Sequence, residues 1–270
     1  MRRLPVLFGL VAVGLVVVTA IVSLVWLPYD PGAIDTAARL APPGWPHLLG
    51  TDTFGRDTLS RLMVGSRVCL LVGVVSVAIA AVAGVPLGLV AGMTRGVVSR
   101  LVLRATDLLY AFPAILVAML LAAAFGGSTL TGMAAIGIAT VPVFTRITRA
   151  GTLTVMSQDY IWAARASGTT WRAIAARHVW PNIAPLVGVQ ASVSFGMAIL
   201  AEAALSYLGL ATPPTTPTWG RMLYDAQAQL FNAPLLTLWP GAAIVVAVMG
   251  FNVLGDGLRD LLDPRLREVA

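Results

Sequence analysis

Residues 68–93 read Val-Cys-Leu-Leu-Val-Gly-Val-Val-Ser-Val-Ala-Ile-Ala-Ala-Val-Ala-Gly-Val-Pro-Leu-Gly-Leu-Val-Ala-Gly-Met, 26 positions without a charged side chain. About 20 predominantly apolar residues suffice for a helix to cross the roughly 30 Å hydrocarbon core of a bilayer, so this run predicts a transmembrane helix. Gly73, Gly84 and Gly88 would let a neighbouring helix approach closely, and a kink at Pro86 is tolerated in a membrane. Five further runs follow the same logic: 7–27, 105–125, 130–148, 183–208 and 237–257. The run 7–27 is long for a signal-peptide core, and Trp26-Leu27-Pro28-Tyr29 lacks the small residues of a cleavage site. The run 105–125 is less clean, with Arg104, Asp107 and Pro113 at its start, and Pro142 interrupts 130–148. The predicted fold is all-α, a polytopic membrane protein of six transmembrane helices.

Composition agrees. Of 270 residues, 58% are hydrophobic and 11% charged, against about 25% charged in an ordinary soluble domain. Mean hydropathy is +0.85. These values exclude a soluble enzyme, a disordered tail and a nucleic-acid binder. All 18 basic residues are arginine, the net charge is +6, and the arginines fall mostly in gaps between apolar runs. With the N-terminus in the cytoplasm, 13 arginines lie inside and 5 outside. That bias predicts an even number of spans with both termini cytoplasmic. A single cysteine, Cys69, excludes a disulfide framework and a cysteine-rich metal site. His178 has no second histidine or cysteine near it, so no metal site is expected, and it is read as a packed residue beside Trp171.

The chain divides into 1–66, a first span followed by an outer segment with an amphipathic helix; 67–258, the transmembrane core with an inner loop at 149–181; and a cytoplasmic tail, 259–270. In the inner loop a short helix is expected over 157–167, capped by Ser157 or Asp159 and stopped by Gly168. A second runs from Thr170 to Val179, and Pro181-Asn182 turns into the fifth span. The loop is either an interfacial segment lying on headgroups or a docking element for a cytosolic partner; periodicity does not separate the two.

At these residues a family resemblance enters. Ala163-Ala164-x-x-x-Gly168, followed by Pro181-Asn182, resembles the cytoplasmic "EAA" loop of ABC importer permeases. Gly50-Thr51-Asp52-Thr53-Phe54-Gly55-Arg56-Asp57-Thr58-Leu59-Ser60-Arg61 with Gly65-Ser66-Arg67 is similar to the signature before the second span of one subunit type. This is the second of the two permeases in the dipeptide/oligopeptide/nickel importer family. Ala201-Glu202-Ala203-Ala204-Leu205-Ser206-Tyr207-Leu208-Gly209, Trp219-Gly220-x-Met222-Leu223 and Phe251-Asn252-Val253-Leu254-Gly255-Asp256-Gly257-Leu258-Arg259-Asp260, ending at Leu262-Asp263-Pro264-Arg265, follow in family order. The resemblance covers about residues 48–267. One departure is plain: the glutamate of the loop pattern falls at Trp162.

The resemblance implies a type I ABC importer permease fold in a bacterial inner membrane. It implies a second, homologous permease subunit, two ATPase subunits that hold ATP and Mg, an extracytoplasmic solute-binding protein and a peptide substrate. Nickel chelates or glutathione are the alternatives within the family. It also places the contact with the ATPase at Asp159, Tyr160, Ala163, Ala164, Arg165 and Gly168. No cofactor is expected in this chain. With no lysine and no Gly-x-x-x-x-Gly-Lys-Ser/Thr segment, it has no P-loop of its own. The rival reading, an ATP-independent secondary transporter or channel, would need its own coupling residues and often internal repeats, and the sequence offers neither clearly.

The remaining ionisable candidates have several readings. Glu202, inside the fifth span, is costly unless paired. It makes a helix–helix hydrogen bond, pairs with Arg56 or Arg61, or contacts substrate. Asp107 and Arg104 are three apart and share a helix face. Asp52, Arg56, Asp57, Arg61 and Arg67 form an alternating series, with Asp57–Arg61 an i,i+4 pair, on either a solvated outer helix or a collar at the outer mouth. Asp256, Arg259 and Asp260 belong to a helical tail. Trp26, Tyr29, Tyr207, Trp219 and Trp239 are read as an interfacial aromatic belt.

Overall fold

In a bilayer every backbone N–H and C=O must be satisfied within its own segment, which makes long apolar runs into helices. A computed structural model describes residues 3–213 and 215–262; Arg2, Pro214, Asp263, Arg265 and Arg267 lie outside them. The helices in chain order are α1 (Arg3–Val25), α2 (Thr58–Met93), α3 (Val97–Ala111), α4 (Ala114–Phe125), α5 (Thr129–Met156), α6 (Asp159–Ala166), α7 (Trp171–Ile174), α8 (Trp180–Tyr207), α9 (Trp219–Ala226) and α10 (Leu235–Leu262). Among the described residues there is no β-strand, only an isolated bridge between Thr51 and Asp57.

Five helical stretches are long and apolar enough to cross a membrane, and a sixth crossing results if α3 and α4 count as one broken span. The third expected span is therefore corrected. It begins at Val97 and bends by 84° between α3 and α4. The cause is Pro113, which has no N–H to donate and disfavours helical geometry at the residue before it. Phe112 is accordingly extended, at φ −84° and ψ 126°.

The fifth span is corrected as well. No turn occurs at Pro181-Asn182; helix runs from Trp171 through to Tyr207. A π-turn at Ala175–Val179 joins α7 to α8. It widens the helix just where Pro181 cannot donate to a carbonyl one turn back. The Asn182 side chain donates to His178 O at 2.7 Å within that turn. Likewise α5 continues to Met156, so the loop expected over 149–181 is mostly extended helix.

Parallel helices α2 and α5 form the spine. Gly84, Gly88 and Gly92 of α2 lie against Phe144, Thr148 and Thr152 of α5. Ser76 Oγ donates to Met133 O at 3.0 Å. Lipid tails are as apolar as leucine, so such close approach, rather than a hydrophobic drive, holds membrane helices together. A Cβ at Gly88 would stand 2.6 Å from Thr145 O and 2.6 Å from Thr148 Cβ. Gly88→Val is expected to destabilise the spine by at least about 1–3 kcal/mol and to reduce the monodisperse protein recovered after extraction. Wild-type recovery with wild-type thermal stability would contradict this packing.

At 36 residues, α2 is about 54 Å long, and it serves as a ruler. Near its start Trp219, at the head of α9, donates to Leu62 O; near its end Leu89 and Met93 pack with Ile161 of α6. The two short helices thus stand at opposite ends of the bundle. Trp219 is 4% exposed and packed among Cys69, Ile199 and Ala203, so it belongs to the core and not to an aromatic belt. The amphipathic helix expected in the outer segment is absent among the described residues. A 3₁₀ turn, Thr36–Ala38, is followed by irregular chain until α2 starts at Thr58, and the 66/67 boundary falls inside α2.

Candidate functional site

At one end of the bundle, α6 presents a small exposed surface on a rigid seat. Ile161 is 0% exposed and packs with Val155, Ile174, Val179 and Ile183. This cluster joins the ends of α2, α5 and α8 through one side chain. The rest of the helix faces outward: Asp159, Tyr160, Trp162, Ala163 and Arg165 are exposed and Ala164 is partly so. The N-cap is Gln158, not Ser157 or Asp159. Ser157 ends α5, and Asp159 occupies the first turn, where a negative charge favours the helix dipole. The C-terminus ends as expected at Gly168, whose φ of +78° suits glycine. Gly168 N donates to Arg165 O at 3.0 Å and Thr169 N to Ala164 O at 3.1 Å, the paired bonds of a Schellman stop. Arg165 stacks over Trp162, 5.4 Å from its centroid. The ring neighbour of His178 is Tyr160, at 6.0 Å.

At the other end the expected alternating charges do not lie along a helix. Asp52 folds its own turn, accepting from Phe54 N at 2.8 Å and Arg56 N at 3.0 Å. Gly55 closes that turn with φ +77°, pressed so tightly on the Asp35 backbone that a Cβ would collide with it. The Asp57–Arg61 pair is replaced. Asp57 caps α2 through Ser60 N at 2.7 Å and meets His47 Nδ1 at 2.9 Å. Arg61 turns instead toward Asp52 and Asp225, at 3.6 and 3.5 Å. Arg56 makes a 2.6 Å bond to Asp52 and a 3.1 Å bond to Asp225. Arg221, one turn before Asp225 on α9, completes the cluster at 3.0 Å.

Three guanidinium groups thus share two carboxylates, all largely buried, and they staple the segment before α2 to α9. Asp225 and Arg221 were not among the sequence candidates; their i,i+4 spacing was the available signal. Arg67 stands apart, donating from Nε to Ser23 of α1.

Glu202 is 3% exposed. It accepts from Ser206 Oγ at 2.6 Å, one turn along the same helix, and the side chain of Thr218, which caps α9, lies against the same carboxyl. Its expected alternative partners, Arg56 and Arg61, are engaged by Asp52 and Asp225. Asp107 pairs across helices with Arg146 at 2.7 Å, not with Arg104, and the pair is exposed; Arg146 also covers the Tyr110 ring at 4.2 Å. Asp256, Arg259 and Asp260 sit on the last turns of α10, all exposed. Among the described residues no group of three or more His, Cys, Asp or Glu could hold a metal ion.

Comparison with known proteins places this architecture. Residues 84–268 match a family described as "Binding-protein-dependent transport system inner membrane component". The chain is 44% identical over 274 residues to the dipeptide transport system permease protein DppC of Escherichia coli K12, covering 99% of this chain and 91% of that one. It is 40% identical to a di/tripeptide transport system permease protein of Pseudomonas aeruginosa, with coverage of 97% and 88%. It is 38% identical to the glutathione transport system permease protein GsiD of Pectobacterium atrosepticum, with coverage of 95% and 87%. In fold it is similar to a chain from inward-facing structures of the MetNI methionine ABC transporter. The TM-score is 0.63 at 18% identity, covering 78% of this chain and 96% of that chain. An all-helical bundle of five long apolar helices and one broken pair, with these matches along nearly its whole length, identifies the chain as a member of the binding-protein-dependent inner membrane components, the permease subunits of ABC importers.

Proposed function

We propose that this permease pairs with a second, homologous permease to form a path for di- and tripeptides released by an extracytoplasmic binding protein. Two ATPase subunits supply the energy, binding ATP and Mg. The termini and α6 lie in the cytoplasm, as the arginine distribution favours. There α6 seats in a groove of the ATPase, with Asp159, Tyr160, Ala163, Ala164, Arg165 and Gly168 forming the contact. The observation that carries this reading is Ile161. A helix that exposes one face and locks the other into the ends of three long helices moves as one body with them, and closure of the ATPases would thereby become a rocking of the path. Trp162, where the loop pattern carries a glutamate, offers an aromatic surface stacked by Arg165 in place of a carboxylate.

The peptide substrate is supported by two relatives whose names specify dipeptides or di/tripeptides; the glutathione permease at 38% identity supports a modified tripeptide as the second reading. The test is uptake. The tagged chain, purified in mild detergent with whatever subunits accompany it, is reconstituted in liposomes with the external binding protein. Labelled dipeptide is expected to accumulate only with ATP on the α6 side. Accumulation without ATP, or the absence of an ATPase subunit from the purified assembly, would overturn the proposal. Glutathione outcompeting dipeptides would select the second reading.

A further inference from the structure

The two halves of the broken third crossing cannot both follow the bundle axis, because they meet at 84°. α4 follows it. Asp107 is fixed to Arg146 of α5, and Ala118 packs in the cluster of Val68, Val72 and Met133. Only residues 126–128 join Phe125 at the end of α4 to Thr129 at the start of α5, and Ala118 packs with Met133 close to that start, so α4 runs back alongside α5. α3 therefore lies across the end of the bundle. Ser99 Oγ holds it to Ala91 O near the end of α2 at 2.8 Å.

The side of α3 turned to the protein carries buried Ser99 and Thr106. The side turned away carries Val97, Leu101 and Leu108, all more than half exposed, with exposed Arg100 and Arg104, and exposed Arg95 just before the helix. None of these three arginines has an ion-pair partner among the described residues, and Asp107, the single acid between residues 94 and 128, is taken by Arg146. Water is a poor neighbour for the apolar row, and the hydrocarbon core is a poor one for three guanidinium groups. The headgroup layer accommodates both: apolar side chains reach into the acyl boundary while basic side chains reach the phosphates.

We propose that α3 is a membrane-surface helix that binds anionic phospholipid headgroups through Arg95, Arg100 and Arg104, with Val97, Leu101 and Leu108 dipping into the same leaflet. The site is independent of the peptide reading and of the seating of α6, so failure of uptake would leave it standing. Through Asp107–Arg146 the lipid-bound helix is fastened to α5, the helix that leads directly into α6.

The complete transporter is reconstituted in nanodiscs containing phosphatidylcholine and phosphatidylglycerol. A fluorophore on Leu101→Cys reports depth, Cys69 being buried. Quenching by bromines near the glycerol end of the acyl chains is expected to exceed quenching by bromines at mid-chain. Native mass spectrometry is expected to show phosphatidylglycerol retained on the wild type. Arg95→Gln, Arg100→Gln and Arg104→Gln should each weaken retention about fivefold, the equivalent of about 1 kcal/mol per arginine at an anionic surface. Stronger quenching at mid-chain, or an unquenched Leu101→Cys that cross-links to another subunit, overturns the proposal. So does unchanged lipid retention in the triple variant with its elution profile intact.

Discussion

Asp225→Ala is expected to loosen the α9 end of the protein by about 3–5 kcal/mol, because it strands charge that is already out of water. Asp225 accepts from Arg56 and Arg61 and forms an ion pair with Arg221. Removing it leaves three guanidinium groups facing Asp52 alone. The mutual repulsion of buried like charges is not screened as it would be at the surface. The readout is built in. Cys69 is the only cysteine and is buried beside Trp219 and Ala203, so it reacts with a thiol-specific fluorophore only as this region opens. The labelling midpoint on heating should fall on the order of 10 °C for a loss of this size. Asp225→Asn, which keeps hydrogen-bonding capacity but not charge, should fall between. A double replacement of Asp225 and Arg221 should cost less than the sum of the single changes, because it removes one charge of each sign. An unchanged midpoint for Asp225→Ala would mean that the outer segment and α9 are held by packing alone.

Ile161→Ala is the second large effect, and it falls on coupling. The side chain is fully buried at the junction of α2, α5, α7 and α8, and truncating a buried isoleucine costs about 2–5 kcal/mol. Here that cost is local, because α6 is eight residues long and has no other buried side chain. The helix should remain but lose its fixed seat. ATP-driven uptake by the reconstituted complex is expected to fall at least roughly tenfold, while the ATPase subunits still bind and hydrolyse ATP. Ile161→Leu, of similar volume, should retain most uptake. Undiminished uptake by a folded Ile161→Ala complex would remove α6 from the transmission path proposed here.

Both predictions turn on contacts of different legibility. The stop of α6 was readable because a Schellman turn is local: a small-residue helix followed by Gly168 contains all its own reasons. The glycine spacing of α2 was readable as a packing surface, though not its partner on α5. The broken third crossing was half readable. Arg104, Asp107 and Pro113 marked the run as irregular, but only the bend of 84° separates a surface helix from a short upright one. The continuation of helix through Pro181 is not legible in the sequence, because a proline signals a turn unless a π-turn such as Ala175–Val179 absorbs its missing donor.

The sequence by itself determined the membrane class, most of the apolar crossings and the place of the short exposed helix. Each depends on hydropathy or backbone preference within a few turns of chain. Only the tertiary structure decided which charges meet. Arg56 and Asp225 are 169 positions apart, and the i,i+4 pairing expected for Asp57 fails because that carboxylate is spent on capping α2 and on His47. A charge seeks whatever opposite charge the fold brings into the same dry space, and spacing along the chain carries no record of that distance.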